Sequence, residues 1–405
     1  MRNLNYIFAM SILAIGIVSC SQDEQIIDVS KASNDVDPVV KTLNLVKNYE
    51  NSSMTKSSSL SEIIIDNYEK TTYSFPLETI STRSTVTDIP ESTSVDLYLI
   101  NFHKGEDSGF AIASGDDRIN RVYAYTECGD ISDTTYIDPM ACMIRSIPYV
   151  VKQDIQKYYS TIETKSAKAG TYVTYGPLLT TAWHQGDPYN YYAPSFNWTE
   201  SNKKSFFAGR SAAGCTPIAT SQVIAYYEKF TGTMFGNRNI DFKALKAESH
   251  VYPWSTQAQI VGNFIREVAT KCNTNYDAKG NGGARVEAAY TYLKGMGYPC
   301  SVSIDANVNI TSLYNNIKRG NPHITCGWRN KEDGHTWVWD GIRGYVNGSS
   351  FTVDAVHCNW GQGADATDPN HPNKNCNGWY VSYEQPDPAL GSYYDDNVQL
   401  YITLK

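Results

Sequence analysis

Two strand-like runs, DGHTWVWDGIRGYV (residues 333–346) and SFTVDAVHCNW (350–360), flank the dipeptide Asn347-Gly348. Asn-Gly between alternating apolar runs is the strongest short-range hairpin signal, because both residues tolerate the positive φ that a tight turn requires. A hairpin commits this part of the chain to antiparallel sheet, and its register can be counted. With the turn on 347 and 348, His335 faces Trp360, and Asn359 lies one step away. A bulge slides that pairing by a residue or two. An amide that holds one nitrogen of an imidazole leaves the other free to exchange a proton, while an indole keeps water off the ring. The competing reading is a polar hairpin with a surface histidine.

Such a histidine needs a nucleophile. The stretch SAAGCTPIATSQVIAYY (211–227) offers Cys215 directly after Gly214 and just ahead of a helix read from Pro217. Proline is tolerated in a first helical turn, and Ile218, Val223, Ile224, Tyr226 and Tyr227 give the helix a buried side. Unpartnered N–H groups and the positive end of the helix dipole favour a thiolate at that place. A buried, inert cysteine is the alternative. Upstream, Gln185 in GPLLTTAWHQGDPYN (176–190) sits among turn residues. Its amide is a candidate donor to a developing oxyanion, beside the Cys215 N–H. A solvent-exposed loop glutamine is the other reading, and the neighbouring His184 reads as incidental. The nine cysteines include no CxxC pair and no zinc-like spacing with histidine, so no metal or cofactor is expected.

The rest of the chain sets a frame. Its 405 residues suffice for two or three domains, and 30 tyrosines with 19% charged residues fit an extracytoplasmic surface. A net charge of -8 gives no electrostatic reason to expect nucleic acid. Arg2 and the apolar run Tyr6 to Val18, too short to span a bilayer, read as a signal peptide over 1–19. Ile17-Val18-Ser19-Cys20 resembles a bacterial lipobox, which predicts cleavage before Cys20 and lipidation of its thiol. Ser21-Gln22-Asp23-Glu24 resembles the acidic tract that exports some Bacteroidetes lipoproteins to the cell surface. Residues 20–90, rich in Ser, Thr, Asp and Lys, read as a tether and the start of a pro-region, with some helix near 39–49. LYLINF, FAIAS and RVYAYT between 97 and 126 read as a β-meander, and 138–160 as helix. A polar linker, TIETKSAKAGT (161–171), is a natural proteolysis site between a first unit (91–165) and a second (166–405).

Taken in order, Gln185 in WHQGDPYN, GCTPIATSQVIAYY, DGHTWVWDG, NWGQG and the closing NGWYV…YYDDNVQLYITL resemble the streptopain-like cysteine peptidase family. The meander LYLINF…GFAIASGDDRINRVYAYTECGD resembles that family's inhibitory pro-domain. The resemblance covers roughly residues 90–405. It implies an α+β chain in which a papain-like peptidase domain follows a smaller α+β pro-domain, made as a zymogen. Cys215 would be the nucleophile and His335 the general acid/base. Gln185 would serve the oxyanion hole, Asn359 and Trp360 would orient and cover the imidazole, and Gly334 would line the substrate cleft. Proteins or peptides with a hydrophobic residue second before the cut would be substrates, and the pro-domain an intramolecular inhibitor released by cleavage near TKSAKAGT. Export would leave a lipid-anchored protein at the outer membrane or cell surface, with release of the mature domain possible. The chain departs from the family at Gln362, where a tryptophan is usual, and in the polar loop 363–377. Two other functions use similar parts: a cell-wall hydrolase of the NlpC/P60 type, and a surface lipoprotein that binds proteins on an inactive protease fold.

Overall fold

A computed structural model describes residues 37–49, 62–77, 90–126, 128–131, 138–161, 170–230, 240–304, 309–329, 333–361, 376–381 and 396–402. The signal segment, Cys20, the acidic tract, residues 162–169 of the linker and residues 362–375 lie outside them.

The first half opens with helix α1 (Pro38–Lys47), capped by the Asp37 carboxylate, which accepts from the Val39 N–H at 2.9 Å. Strands β1 (Ile63–Pro76), β2 (Ser92–Lys104), β3 (Asp107–Ser114) and β4 (Arg121–Thr126) follow as an antiparallel meander, then helix α2 (Asp138–Thr161). Within the stretch expected as a tether and the start of a pro-region, residues 63–76 form β1, which pairs with β2 along its whole length, from Ile63↔Lys104 to Pro76↔Ser92. Its Ile63, Ile65, Tyr73 and Phe75 pack on the core beneath the meander, which outweighs the polar residues between them.

The second half contributes β5 (Thr171–Tyr175), α3 (Ser201–Phe206), α4 (Cys215–Tyr227), α5 (Phe242–Leu245) and α6 (Ala258–Lys271). A small ribbon of β6 (Asn275–Tyr276) and β7 (Gly282–Gly283) leads to α7 (Val286–Gly295), β8 (Cys300–Ile304) and α8 (Ile310–Lys318). Strands β9 (His323–Arg329), β10 (Asp333–Asn347), β11 (Ser350–Asn359), β12 (Gly378–Tyr380) and β13 (Asp396–Ile402) complete the chain. The fold is mixed α+β. Both halves share one 11-stranded sheet, ordered β1-β2-β3-β4-β12-β11-β10-β9-β13-β8, with β5 also paired to β10.

Two cores flank this arrangement. One runs unbroken from Val46 and the meander to Trp337, Trp339, Trp360, Trp379 and Tyr380. The other gathers α4, α6 and α7 around Trp183, Phe264, Ile324 and Val338. Helix α4 lies at the centre of the second, so Thr216 to Ala225 are buried on every side rather than along one stripe. Among the described residues no helix is long and apolar enough to cross a membrane.

The β10–β11 hairpin forms, with a changed register. Asn347 pairs with Ser350, so the turn falls on Gly348 and Ser349, and Gly348 takes φ +62. The ladder ends at Val338↔Asn359, and His335 pairs instead with Gly327 of β9. The expected His335–Trp360 pairing is therefore displaced along the strands. Two bulges, at Asp340 and Asp354 on opposite strands, cancel one another and restore the register between them.

Candidate active site

Cys215 is the first residue of α4 and half-buried. Gly214 before it adopts φ +101, ψ 134, a backbone region essentially confined to glycine. A Cβ there would stand 3.0 Å from the Gly282 carbonyl oxygen. The β6–β7 ribbon thus presses on the loop behind the cysteine, with Ala212 N–H donating to Gly280 O at 2.8 Å. Pro217 falls at the third helical position, inside the first turn where its missing N–H leaves no bond unmade. The helix begins two residues before the position expected from proline alone, which brings the thiol into the N-terminal turn itself.

Strand β10 carries His335 to this helix end. Burial of the sulfur opposes its ionisation, but the hydrogen bond and charge of His335 and the N–H and hydroxyl of Thr336 outweigh it. The thiol pKa falls from 9.0 to about 7. The Thr336 hydroxyl also lies 2.8 Å from that of Thr216, which donates to Ala284 O at 2.8 Å. Strand, helix and the segment after β7 therefore meet beside the sulfur.

The imidazole is held on its far side by a backbone carbonyl. Nε2 of His335 lies 2.8 Å from the Trp360 main-chain oxygen, which only accepts, so Nε2 carries the proton. The other ring nitrogen is left for the sulfur. This differs from the expected arrangement, in which the Asn359 amide orients the ring and the Trp360 indole covers it. Asn359 donates its Nδ2 to Thr181 O at 2.6 Å and accepts at Oδ1 from Gln222 Nε2 at 3.0 Å. The ring stacked parallel to His335 is that of Trp337, at 6.1 Å and 11°, with the Trp360 indole behind it at 5.5 Å. The register shift explains the exchange: with Asn359 opposite Val338, its side chain points to α4 and the Trp360 carbonyl takes over its place at the ring. Trp360 is itself fixed, with its N–H on Asn377 Oδ1 at 2.9 Å and its indole N–H on Cys376 O at 3.1 Å.

Gln185 is joined to the loop before α4 through its backbone. Its carbonyl accepts the Ala213 N–H at 2.9 Å, which ties its backbone to the residue two before Cys215 in sequence. The run leading to it is pinned twice more. The bulged Asp340 accepts Leu178 N–H at its carbonyl and Leu179 N–H at its carboxylate, both at 2.9 Å, while its other oxygen bonds His357 Nδ1 at 2.5 Å. Gln222 Oε1 accepts from Thr181 Oγ1 at 2.9 Å and from Trp183 N–H at 3.1 Å. His184 has a structural place: buried against Tyr189 and Phe206, its Nδ1 accepts the Gly186 N–H at 3.1 Å. Burial, with a smaller contribution from His250, lowers its pKa to about 3, so the ring is neutral. Gly334 lies exposed on β10, one residue before the imidazole.

Cys215, His335 and the Trp360 carbonyl thus converge, Gln185 is tied by its carbonyl to Ala213, and Asn359 joins them only through its neighbours. Thr336 and Gln222 did not stand out from the sequence. The signal for Gln222 was its spacing, since seven residues after Cys215 returns to nearly the same helix face. Cys128, Cys272, Cys300, Cys326, Cys358 and Cys376 are also thiols, and burial raises Cys272 and Cys326 to about 12, far from nucleophilic use. No group of three or more His, Cys, Asp or Glu among the described residues is placed to hold a metal.

Residues 183–368 match the model of the Peptidase C10 family, a span that contains all of these converging residues. Among solved structures, a fragment of prointerpain A from Prevotella intermedia is similar at 18% identity, covering 75% of this chain and 94% of that one, with a TM-score of 0.47. No curated protein matches the chain.

Proposed function

We propose that, in a chain whose residues 183–368 match the model of the Peptidase C10 family, Cys215 and His335 cleave protein substrates in a zymogen activated by loss of its first half. The observation that carries the reading is the pairing of a thiol at a helix N-terminus with an imidazole of fixed tautomer. The Cys215 thiolate attacks a peptide carbonyl, and the proton gained by His335 passes to the leaving amine. Water then enters, gives its proton to the same ring nitrogen, and releases the acyl group from sulfur. The oxyanion formed in each step is met by the Cys215 N–H, in the first turn of α4, and by the Gln185 amide. Trp360 keeps Nε2 protonated throughout and stabilises the imidazolium.

Residues 91–165 serve as the inhibitory unit, 166–405 as the peptidase, and the intervening polar linker as the activation site. Signal cleavage before Cys20 and lipidation of its thiol leave the protein anchored at the outer membrane or cell surface, facing outward. Gly334 lines the substrate cleft beside the histidine.

The test follows residues 20–405 over time by intact mass and casein cleavage, comparing wild type with Cys215→Ala. Loss of the N-terminal half with gain of cleavage in wild type alone supports a self-activating peptidase. If only added trypsin unmasks thiol-dependent cleavage, the zymogen has an outside activator. Cleavage that survives Cys215→Ala, or never arises under either condition, refutes the assignment.

A further inference from the structure

Helix α4 carries a second polar group on the face that bears Cys215. Gln222 follows it by seven residues, two helical turns or about 10 Å along the axis, and is fully buried. Each polar atom of its amide is used. Oε1 accepts from Thr181 Oγ1 at 2.9 Å and from Trp183 N–H at 3.1 Å, and Nε2 donates to Asn359 Oδ1 at 3.0 Å. Asn359 Nδ2 returns to Thr181 O at 2.6 Å and closes the circuit. The orientation of both amides is forced, since the Trp183 N–H can only donate and the Thr181 carbonyl can only accept.

The circuit joins two walls of the site. Trp183 lies two residues before Gln185, and Asn359 lies directly before Trp360, whose carbonyl holds His335. We propose that Gln222 is a positioning residue for the peptidase reaction: one buried amide sets both the segment that presents Gln185 and the strand end that presents the Trp360 carbonyl to His335. Helix α4 packs against the apolar cluster around Trp183, Phe264 and Val338, so a hydrocarbon of similar size is the simplest alternative at 222. It would, however, leave the Trp183 N–H, the Thr181 hydroxyl and the Asn359 oxygen without partners in a buried place. The amide therefore earns its position by the bonds it makes and not by its volume.

The inference rests on the Cys215–His335 reading, and its two arms can be separated by substitution. Gln222→Glu keeps acceptors for Thr181 and Trp183 but has no donor for Asn359. Gln222→Leu removes both arms, and Asn359→Ala removes the second from its other end. Each is measured for melting temperature, for kcat and KM on a peptide substrate after activation, and for the pH profile of Cys215 alkylation by iodoacetamide. Gln222→Glu and Asn359→Ala should each lower kcat roughly ten- to a hundredfold with KM changed less than about twofold. Their alkylation midpoint should move upward as the imidazole loosens. The double variant should lose little more than either single one, because both break the same link. Gln222→Leu should lose more than Gln222→Glu through the Gln185 arm. A lowered melting temperature with unchanged kcat and unchanged alkylation profile would make Gln222 structural only and overturn the proposal, as would additive losses in the double variant. Alkylation needs no turnover, so a wild type that is inactive but shows a Cys215 profile sensitive to Gln222 refutes the peptidase reading and leaves the link between Gln222 and the thiol standing.

Discussion

Thr336 shows how little of an ionisable thiol's chemistry belongs to the thiol. Burial alone would push Cys215 up, as it pushes Cys272 and Cys326, and the difference comes from His335 and from the N–H and hydroxyl of Thr336. The thiol titrates at about 7, so its alkylation rate should rise with pH through that value and fall away below it. In His335→Ala burial remains while its main opponent is gone, and the midpoint should move above the ordinary 9.0; Thr336→Val should give a smaller upward shift. Two other imidazoles act on stability. His184 and His323 are held neutral by burial, each lowered from 6.5 to about 3. The unfolded chain gains their protons first as pH falls, so stability should be full above 6.5 and decline from there toward 3, by up to about 1.4 kcal/mol per pH unit for each ring. Melting temperatures across that range check this, and His323→Gln should flatten the decline. Cys215, His335 and Gln185 could be picked out from sequence because reactive side chains are few and their flanking glycines and turns mark them. Thr336 and Gln222 could not, because threonine and glutamine are common and acquire meaning only from what tertiary packing sets opposite them.

At the scale of elements, the hairpin was legible and its register was not. Asn-Gly marks the place of the turn, but the chain turns one residue later, on Gly348 and Ser349, and that step displaces every pairing beyond it. The consequence is chemical: a backbone carbonyl, not the Asn359 amide, fixes His335. The bulges at Asp340 and Asp354 were equally hidden, since a bulge depends on what each strand meets on its other edge. Strand β1 was missed for a related reason, its exposed Asp66, Glu69 and Lys70 masking the residues that pair and pack. The helix carrying Cys215 was readable from Pro217 and the apolar run, yet its burial on all sides depends on α6, α7 and β10 together. Gly214 makes the helix start possible. Gly214→Ala should cost about 1–3 kcal/mol through its backbone conformation and crowd the Gly282 carbonyl. Because the strain falls on the N–H of Cys215, kcat should drop more than KM rises, which steady-state kinetics beside a thermal melt would show.

For the molecule as a whole, one sheet and one core cross the boundary that the polar linker suggests. Strand β4 pairs with β12 from Thr126↔Gly378 to Ala124↔Tyr380, and Val381 N–H continues the ladder to Tyr123 O at 3.1 Å. Arg121 reaches over this seam to Asp354, Nε to carboxylate at 2.9 Å and Nη2 to carbonyl at 2.6 Å. The Arg343 guanidinium of β10 is sandwiched between the rings of Trp379, at 3.7 Å, and Tyr49, at 4.3 Å. Tyr49 comes from the far N-terminal side of the linker. Asp354→Ala should weaken the hold of the first half by about 2 kcal/mol, roughly thirtyfold in affinity, and separate the nicked halves on a sizing column at concentrations where wild type stays whole. Cutting the chain does not by itself undo such a seam. Hydrolysis between Thr161 and Gly170 turns one folded chain into two strands of a shared sheet, whose parting becomes a bimolecular equilibrium. The timing of activity would then be set by dilution as much as by the protease that makes the cut: at high concentration the nicked pair stays together, and spread into a large volume it falls apart.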